Sequence, residues 1–83
     1  MNKYGEFEVT TNLGEKFTTE QKFKYWAETD EGFASRELRE MLDNEPTGMQ
    51  MFKTQNGIIA IKNSSINSIR FVGILNREDE KAF

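Results

Sequence analysis

The chain contains no cysteine and no histidine. Without cysteine there is no disulfide framework, no thiolate nucleophile and no cysteine-held metal. Without histidine the commonest general base, the commonest metal ligand and the usual pH switch are lost together. A histidine-dependent hydrolytic triad, a zinc site of the usual kind and a haem held by histidine or cysteine are excluded. Carboxylate-only chemistry survives in principle, as a paired-acid glycosidase site or an oxygen-ligand magnesium site. An 83-residue chain builds only a small core, however, and a closed pocket of roughly 300 Å³ or more is hard to carve from it. Asp43-Asn44-Glu45 lacks the ligand spacing and terminal glutamate of a calcium loop. The expectation is a protein that is not an enzyme and uses neither cofactor nor metal.

Long apolar runs are missing too. Nothing approaches the roughly 20 residues of a membrane span, and Met1-Asn2-Lys3-Tyr4 leads into polar alternation rather than a signal-peptide core. These features predict a soluble, cytoplasmic protein that does not engage a membrane. The chain is also not a disordered acidic tail, because it holds seven Phe, two Tyr and Trp26. One folded domain over residues 1–83 is expected, with the charged tail 78–83 frayed.

Carboxylates are absent in one more telling place. None occurs between Glu45 and Glu78, a stretch that carries Lys53, Lys62, Arg70 and Arg77. Residues 1–45 hold eleven acids against six bases. Two electrostatically different halves suit a binding protein.

Tyr4 to Thr11 alternates, with Phe7, Val9 and Thr11 on one side and Glu6, Glu8 and Thr10 on the other, which predicts a half-buried strand. Asn12-Leu13-Gly14-Glu15 supplies turn chemistry, with Gly14 suited to positive φ, and Lys16-Phe17-Thr18 returns as a short second strand. Thr18 and Gln21 resemble a capping box before Phe23, Trp26 and Ala27, which share one side at helical spacing. A short helix over residues 20–28 is predicted, although Lys22-Phe23-Lys24-Tyr25-Trp26 also fits an aromatic strand. Thr29-Asp30 offers a second N-cap for a helix over Gly32–Asp43, with Ala34, Leu38, Met41 and Leu42 inward, Phe33 near the edge, and Arg36, Glu37, Arg39 and Glu40 outside. Pro46, the lone proline, ends it. Met49–Thr54 reads as a strand of undecided facing. Asn56-Gly57 suggests a type I′ turn into the apolar strand Gly57–Ile61. Lys62-Asn63-Ser64-Ser65 forms a polar corner where Asn63 or Ser64 caps a single helical turn. Ile66–Leu75 closes the sheet, with Ile69, Phe71 and Leu75 on one side and Arg70, Val72 and Ile74 on the other. The order β-β-α-α-β-β-β predicts an α+β fold: one antiparallel sheet of four to five strands with one or two helices on one face.

Three surfaces are candidates for function. Tyr25 and Trp26, with Glu28, Asp30, Glu31, Glu37 and Glu40, form an acidic-aromatic helical face of the kind that docks a protein partner; the plainer reading is aromatic core beneath a solvated face. Lys53, Lys62, Arg70 and Arg77, near Phe52 and Phe71, would form a nucleic-acid surface on the sheet; against it stand the small number of charges and a pI near 5.0. Ile58-Ile59-Ala60-Ile61 with Val72 and Ile74 puts apolar residues on both sheet faces. Short helices cannot cover both, so the sheet either curls or buries its exposed side in a homo-oligomer such as a homodimer.

The N-terminal hairpin, the capped Gly32–Asp43 helix and the closing run NGIIAIKNSSINSIRF resemble small phage and prophage proteins of Gram-positive bacteria. That resemblance implies a phage-encoded accessory or inhibitor protein, working in the host cytoplasm by binding a larger host or phage protein. Anti-defence proteins such as anti-CRISPR proteins are similar in being short, acidic and free of catalytic motifs. The closing hairpin also loosely resembles the last strands of Sm-like RNA-binding rings, but the helix position differs and their histidine motif is absent. The leading expectation is a non-catalytic protein-binding module acting through its acidic helical face or its exposed sheet. The alternative is a small nucleic-acid-binding protein using the basic hairpin surface.

Overall fold

A computed structural model of the chain describes residues 2–23 and 29–77. It is a small α+β fold with, among the described residues, five antiparallel strands and one α-helix. The expected single sheet is in fact two. β1 (Asn2–Thr11) lies between β2 (Lys16–Lys22) and β5 (Ile66–Arg77), while β3 (Met49–Thr54) and β4 (Gly57–Lys62) form a separate two-stranded sheet.

β1 follows its alternation. Phe7 and Val9 are fully buried on one face, while Glu6 and Glu8 lie on the other. Gly14 takes φ 85° in the β1–β2 turn, as its position requires. That turn is fastened by Asn12, whose backbone N–H donates to the Ser65 carbonyl at 2.9 Å and whose side-chain amide donates to that of Ser64 at 2.7 Å.

The predicted helix start at Thr18–Gln21 is overturned. β2 continues through Lys22, and Thr18, Thr19, Glu20, Gln21 and Lys22 pair with Glu8, Phe7, Glu6, Gly5 and Tyr4. Long-range pairing with β1 outweighs the local capping pattern. Residues 24–28 of that predicted helix lie outside the described residues.

The second predicted helix is present as α1 (Asp30–Leu42). Thr29, rather than Asp30, is the N-cap, and its Oγ1 accepts from the Gly32 N–H at 3.0 Å. Its buried stripe is Phe33, Ala34, Glu37 and Met41, with Leu38 partly buried. Phe33 is therefore central rather than marginal, Leu42 is exposed, and Glu37 turns inward, only 5% exposed. The helix sits with the 33–37–41 line toward the sheet, which puts a carboxylate where an apolar residue would be expected. Glu37 Oε1 accepts from Arg36 Nη2 at 3.3 Å. The helix C-terminus is closed by side chains: Asn44 Nδ2 donates to the Glu40 carbonyl at 2.7 Å, and Gln50 Nε2 donates to that of Met41 at 2.6 Å.

β5 departs from simple alternation. Its register against β1 shifts between Glu6 and Phe7, where Gly73 and Phe71 are the partners and Val72 is the extra residue. The bulge exchanges the faces expected beyond it. Ile74 comes to pair with Gly5 on the core face, and Leu75 pairs with Tyr4 on the opposite one. The polar corner after β4 does form a single 3₁₀ turn over Asn63–Ser65, but no side chain caps its start. Asn63 instead donates to the Glu45 carbonyl at 2.7 Å and accepts from Gln50 Nε2 at 2.9 Å.

The core is aromatic. Phe7, Val9, Phe33, Met41, Phe52 and Ile69 cluster together, with Phe17, Phe23, Leu38, Ile66 and Phe71 packed against them. Phe52 belongs to the second sheet and meets Phe17 of the first at 5.5 Å. The hairpin and α1 therefore share one apolar core with the three-stranded sheet. Thr19, opposite Phe7, is fully buried, and its hydroxyl has no hydrogen-bond partner among the described residues. Thr19→Val is expected to raise stability by about 1 kcal/mol, read as a later urea midpoint with unchanged slope. A lower midpoint would mean that the hydroxyl is in use.

Candidate functional site

The β3–β4 hairpin is where the fold leaves large apolar side chains without cover. Its inner face carries Gln50, Phe52 and Thr54 opposite Ile61, Ile59 and Gly57, and Phe52 is 2% exposed. The outer face carries the alternate residues. There Met51 faces Ala60, Lys53 faces Ile58, and Met49 faces Lys62. Met49, Met51 and Ile58 are 63%, 72% and 65% exposed. An apolar strip thus crosses the sheet, with Lys53 and Lys62 at opposite corners. The hairpin turn differs from the type I′ geometry expected. Among the described residues none other than glycine has positive φ, and Gly57 carries 117° as the first residue of β4. Thr54 supports the turn, its Oγ1 donating to the Gly57 carbonyl at 3.0 Å and accepting from the Asn56 N–H at 3.2 Å.

The four basic residues singled out as a nucleic-acid surface do not gather in one place. Lys53 and Lys62 share the outer face of the hairpin. Arg70 belongs to the three-stranded sheet, paired with Glu8 across the ladder, its Nη2 3.4 Å from Glu8 Oε1. Arg77 ends β5, and its side chain lies outside the described residues. The neighbouring aromatics face inward: Phe52 is buried, and Phe71 lies 5.3 Å from Phe7 in the core. Neither ring offers a platform on which a base could stack.

The acidic-aromatic candidates divide as well. Tyr25, Trp26 and Glu28 lie outside the described residues. Asp30 and Glu31 stand exposed in the first turn of α1, where they complement the helix dipole. Asp30 also pairs with Lys3 at 2.6 Å, and that lysine lies 4.6 Å from the centre of the Phe23 ring. Glu40 is exposed farther along, whereas Glu37 is buried and unavailable as a surface contact.

Met49 and Met51 did not stand out in the sequence as surface residues. A signal for them existed: Met49-Gln50-Met51-Phe52 places apolar residues on both sides of one strand, and a two-stranded sheet has only one covered face. Val72, 43% exposed, is a separate apolar position on β5. Among the described residues no helix is long and apolar enough to cross a membrane. No protein-family model, curated protein or solved structure matches the chain.

Proposed function

We propose that the protein is a non-catalytic binding module that docks onto a larger protein through the outer face of the β3–β4 sheet. One observation carries this reading: Met49, Met51 and Ile58 lie exposed together on a face whose opposite side is packed into the core. Contiguous apolar surface of this kind marks interaction sites. Methionine is well suited to it, because a flexible, polarisable side chain adapts to the contours of a partner. The lysines at its corners provide the polar rim that such patches carry. The missing histidine and cysteine support a role in adhesion rather than catalysis. The resemblance to small phage-encoded proteins supports an accessory or inhibitor role against a host or phage protein. The dispersal of Lys53, Lys62 and Arg70 over two sheets speaks against the nucleic-acid alternative.

The test is site-specific photo-crosslinking in the cell of origin. A photoreactive residue at Met51 is expected to capture a discrete protein, and one at Glu31 or Glu40 is not. Met51→Asp is expected to weaken binding of that protein at least about tenfold, while stability changes by no more than about 0.5 kcal/mol, as for an exposed position. Capture from Glu31 or Glu40, with Met51→Asp indifferent, would transfer the contact surface to α1.

A further inference from the structure

The second sheet has an edge that no strand among the described residues covers. In the β3–β4 ladder the hydrogen-bonded pairs are Thr54–Gly57, Phe52–Ile59 and Gln50–Ile61. This parity follows because Asn63, next in the series, donates its N–H to the Gly48 carbonyl at 2.9 Å. Ile58, Ala60 and Lys62 therefore turn their N–H and C=O groups away from β3. Among the described residues no backbone group outside the hairpin takes them. A groove of about 730 Å³ runs along this side. Its lining includes Ile59 to Lys62 on one wall and Leu13, Lys16 and Phe17 on the other, and no residue of β3. It lies on the far side of β4, against the β1–β2 turn that Asn12 fastens to Ser64 and Ser65.

Sheet edges are ordinarily protected by charge, proline or bulges. β2 carries Lys16, Glu20 and Lys22, and β5 is interrupted by register shifts. From Ile58 to Ile61, β4 has none of these devices.

We propose that this edge takes up an extended peptide as an added strand, and that the peptide alternates apolar with acidic side chains. The inference deepens the reading above by naming the partner's chemistry, and it rests on that reading. Strand addition supplies affinity through the backbone, here up to about six hydrogen bonds from three residues. It supplies selectivity through side chains that alternate between faces. Side chains level with Ile59 and Ile61 would point to the inner side, beside Phe17, where apolar groups fit. Those level with Ile58, Ala60 and Lys62 would join the outer face. That face holds Lys53 and Lys62, and the segment from 46 to 77 supplies no acid to meet them. Lys16 adds a second positive charge to the groove wall, beside the single acid Glu15. A second copy pairing β4 against β4 would place four lysines on one face with no counter-charge from the strands that carry them, so charge complementarity selects an acidic partner segment.

The experiment uses the full chain, isotopically labelled, and three capped octapeptides: alternating aspartate and valine, alternating lysine and valine, and the aspartate peptide with its fourth and fifth residues, one valine and one aspartate, replaced by proline, so that a ladder N–H is lost in either strand orientation. The aspartate peptide is expected to bind saturably and slow amide exchange at Ile58, Ala60 and Lys62 at least about tenfold. The lysine and proline peptides are expected to bind at least about tenfold more weakly, the first through charge and the second through a missing N–H. Ala60→Pro removes an outward N–H without breaking a β3 hydrogen bond, and should abolish binding. Lys62→Glu leaves Lys53 and Lys16 balanced by Glu15 and the introduced carboxylate, and should remove the preference for the aspartate peptide over the lysine peptide. Equal binding of the proline or lysine peptide overturns the proposal, as does failure of every peptide to slow these amides. Slow exchange at Ile58 and Ala60 without peptide, at a dimer's mass, overturns it in favour of a second copy. Cross-linking at Met51 is read independently, so outer-face contact without β4 protection would leave the binding surface standing and remove strand addition alone.

Discussion

Phe33→Ala is expected to lower the unfolding free energy by about 3–5 kcal/mol, the usual cost of deleting a buried ring. Phe33 is fully buried and anchors α1 to the three-stranded sheet. Its ring stacks on Phe23 at 3.7 Å with 7° between planes, and it meets Phe7 at 6.0 Å. The Arg36 guanidinium lies 5.7 Å from the ring centre. Among the described residues the stripe of α1 otherwise offers only Ala34, Met41, the partly buried Leu38 and the carboxylate of Glu37. A domain of 83 residues has a total stability of roughly 4–12 kcal/mol, so the variant stands close to the unfolding threshold. Urea unfolding followed by far-ultraviolet circular dichroism measures the loss. A change below about 1 kcal/mol would mean that α1 is held by something other than this ring.

Elements governed by local pattern were legible in the sequence. The alternation of Phe7 and Val9, the Thr29 region with its acidic first turn, Pro46 and the Asn56-Gly57 turn position marked β1, α1 and the β3–β4 hairpin within a few residues. What depends on a distant partner was not. Thr19 to Lys22 became strand because β1 pairs with them, against a local pattern that suits a helix start. The bulge at Val72 is decided between β5 and β1, so the faces of Ile74 and Leu75 could not be read from β5 alone. The split into two sheets turns on the Lys62–Ser65 corner and on Asn63, whose amide bridges Glu45 and Gln50. The candidate site was half legible for the same reason. Apolar residues on both sides of Ile58–Ile61 announced an uncovered surface, but its location follows from Phe52 reaching Phe17 across the core.

Gly5→Ala should be destabilising by about 2–3 kcal/mol, the range for forcing atoms into a packed core. The sign is opposite to the gain of about 0.4–1 kcal/mol seen where alanine fits a glycine site. Gly5 lies inside β1, between Gln21 and Ile74, where a missing side chain weakens a strand unless something needs the space. Here the Phe33 ring needs it. A β-carbon on Gly5 would press against that ring, and would lie 3.1 Å from Phe71 Cε1. Phe33 cannot swing aside, because Phe23 stacks on it and Phe7 flanks it. The two positions should therefore couple. In a Phe33→Leu background, Gly5→Ala should cost less than about 1 kcal/mol, an interaction energy above the few tenths expected of independent sites. Gly73→Ala is the control on the neighbouring strand, since a β-carbon there meets nothing within 4 Å. Denaturant midpoints for the four variants and the parent close the cycle. Equal costs of Gly5→Ala in both backgrounds would show that α1 does not rest on β1 at this glycine, and the helix would then lie elsewhere on the sheet.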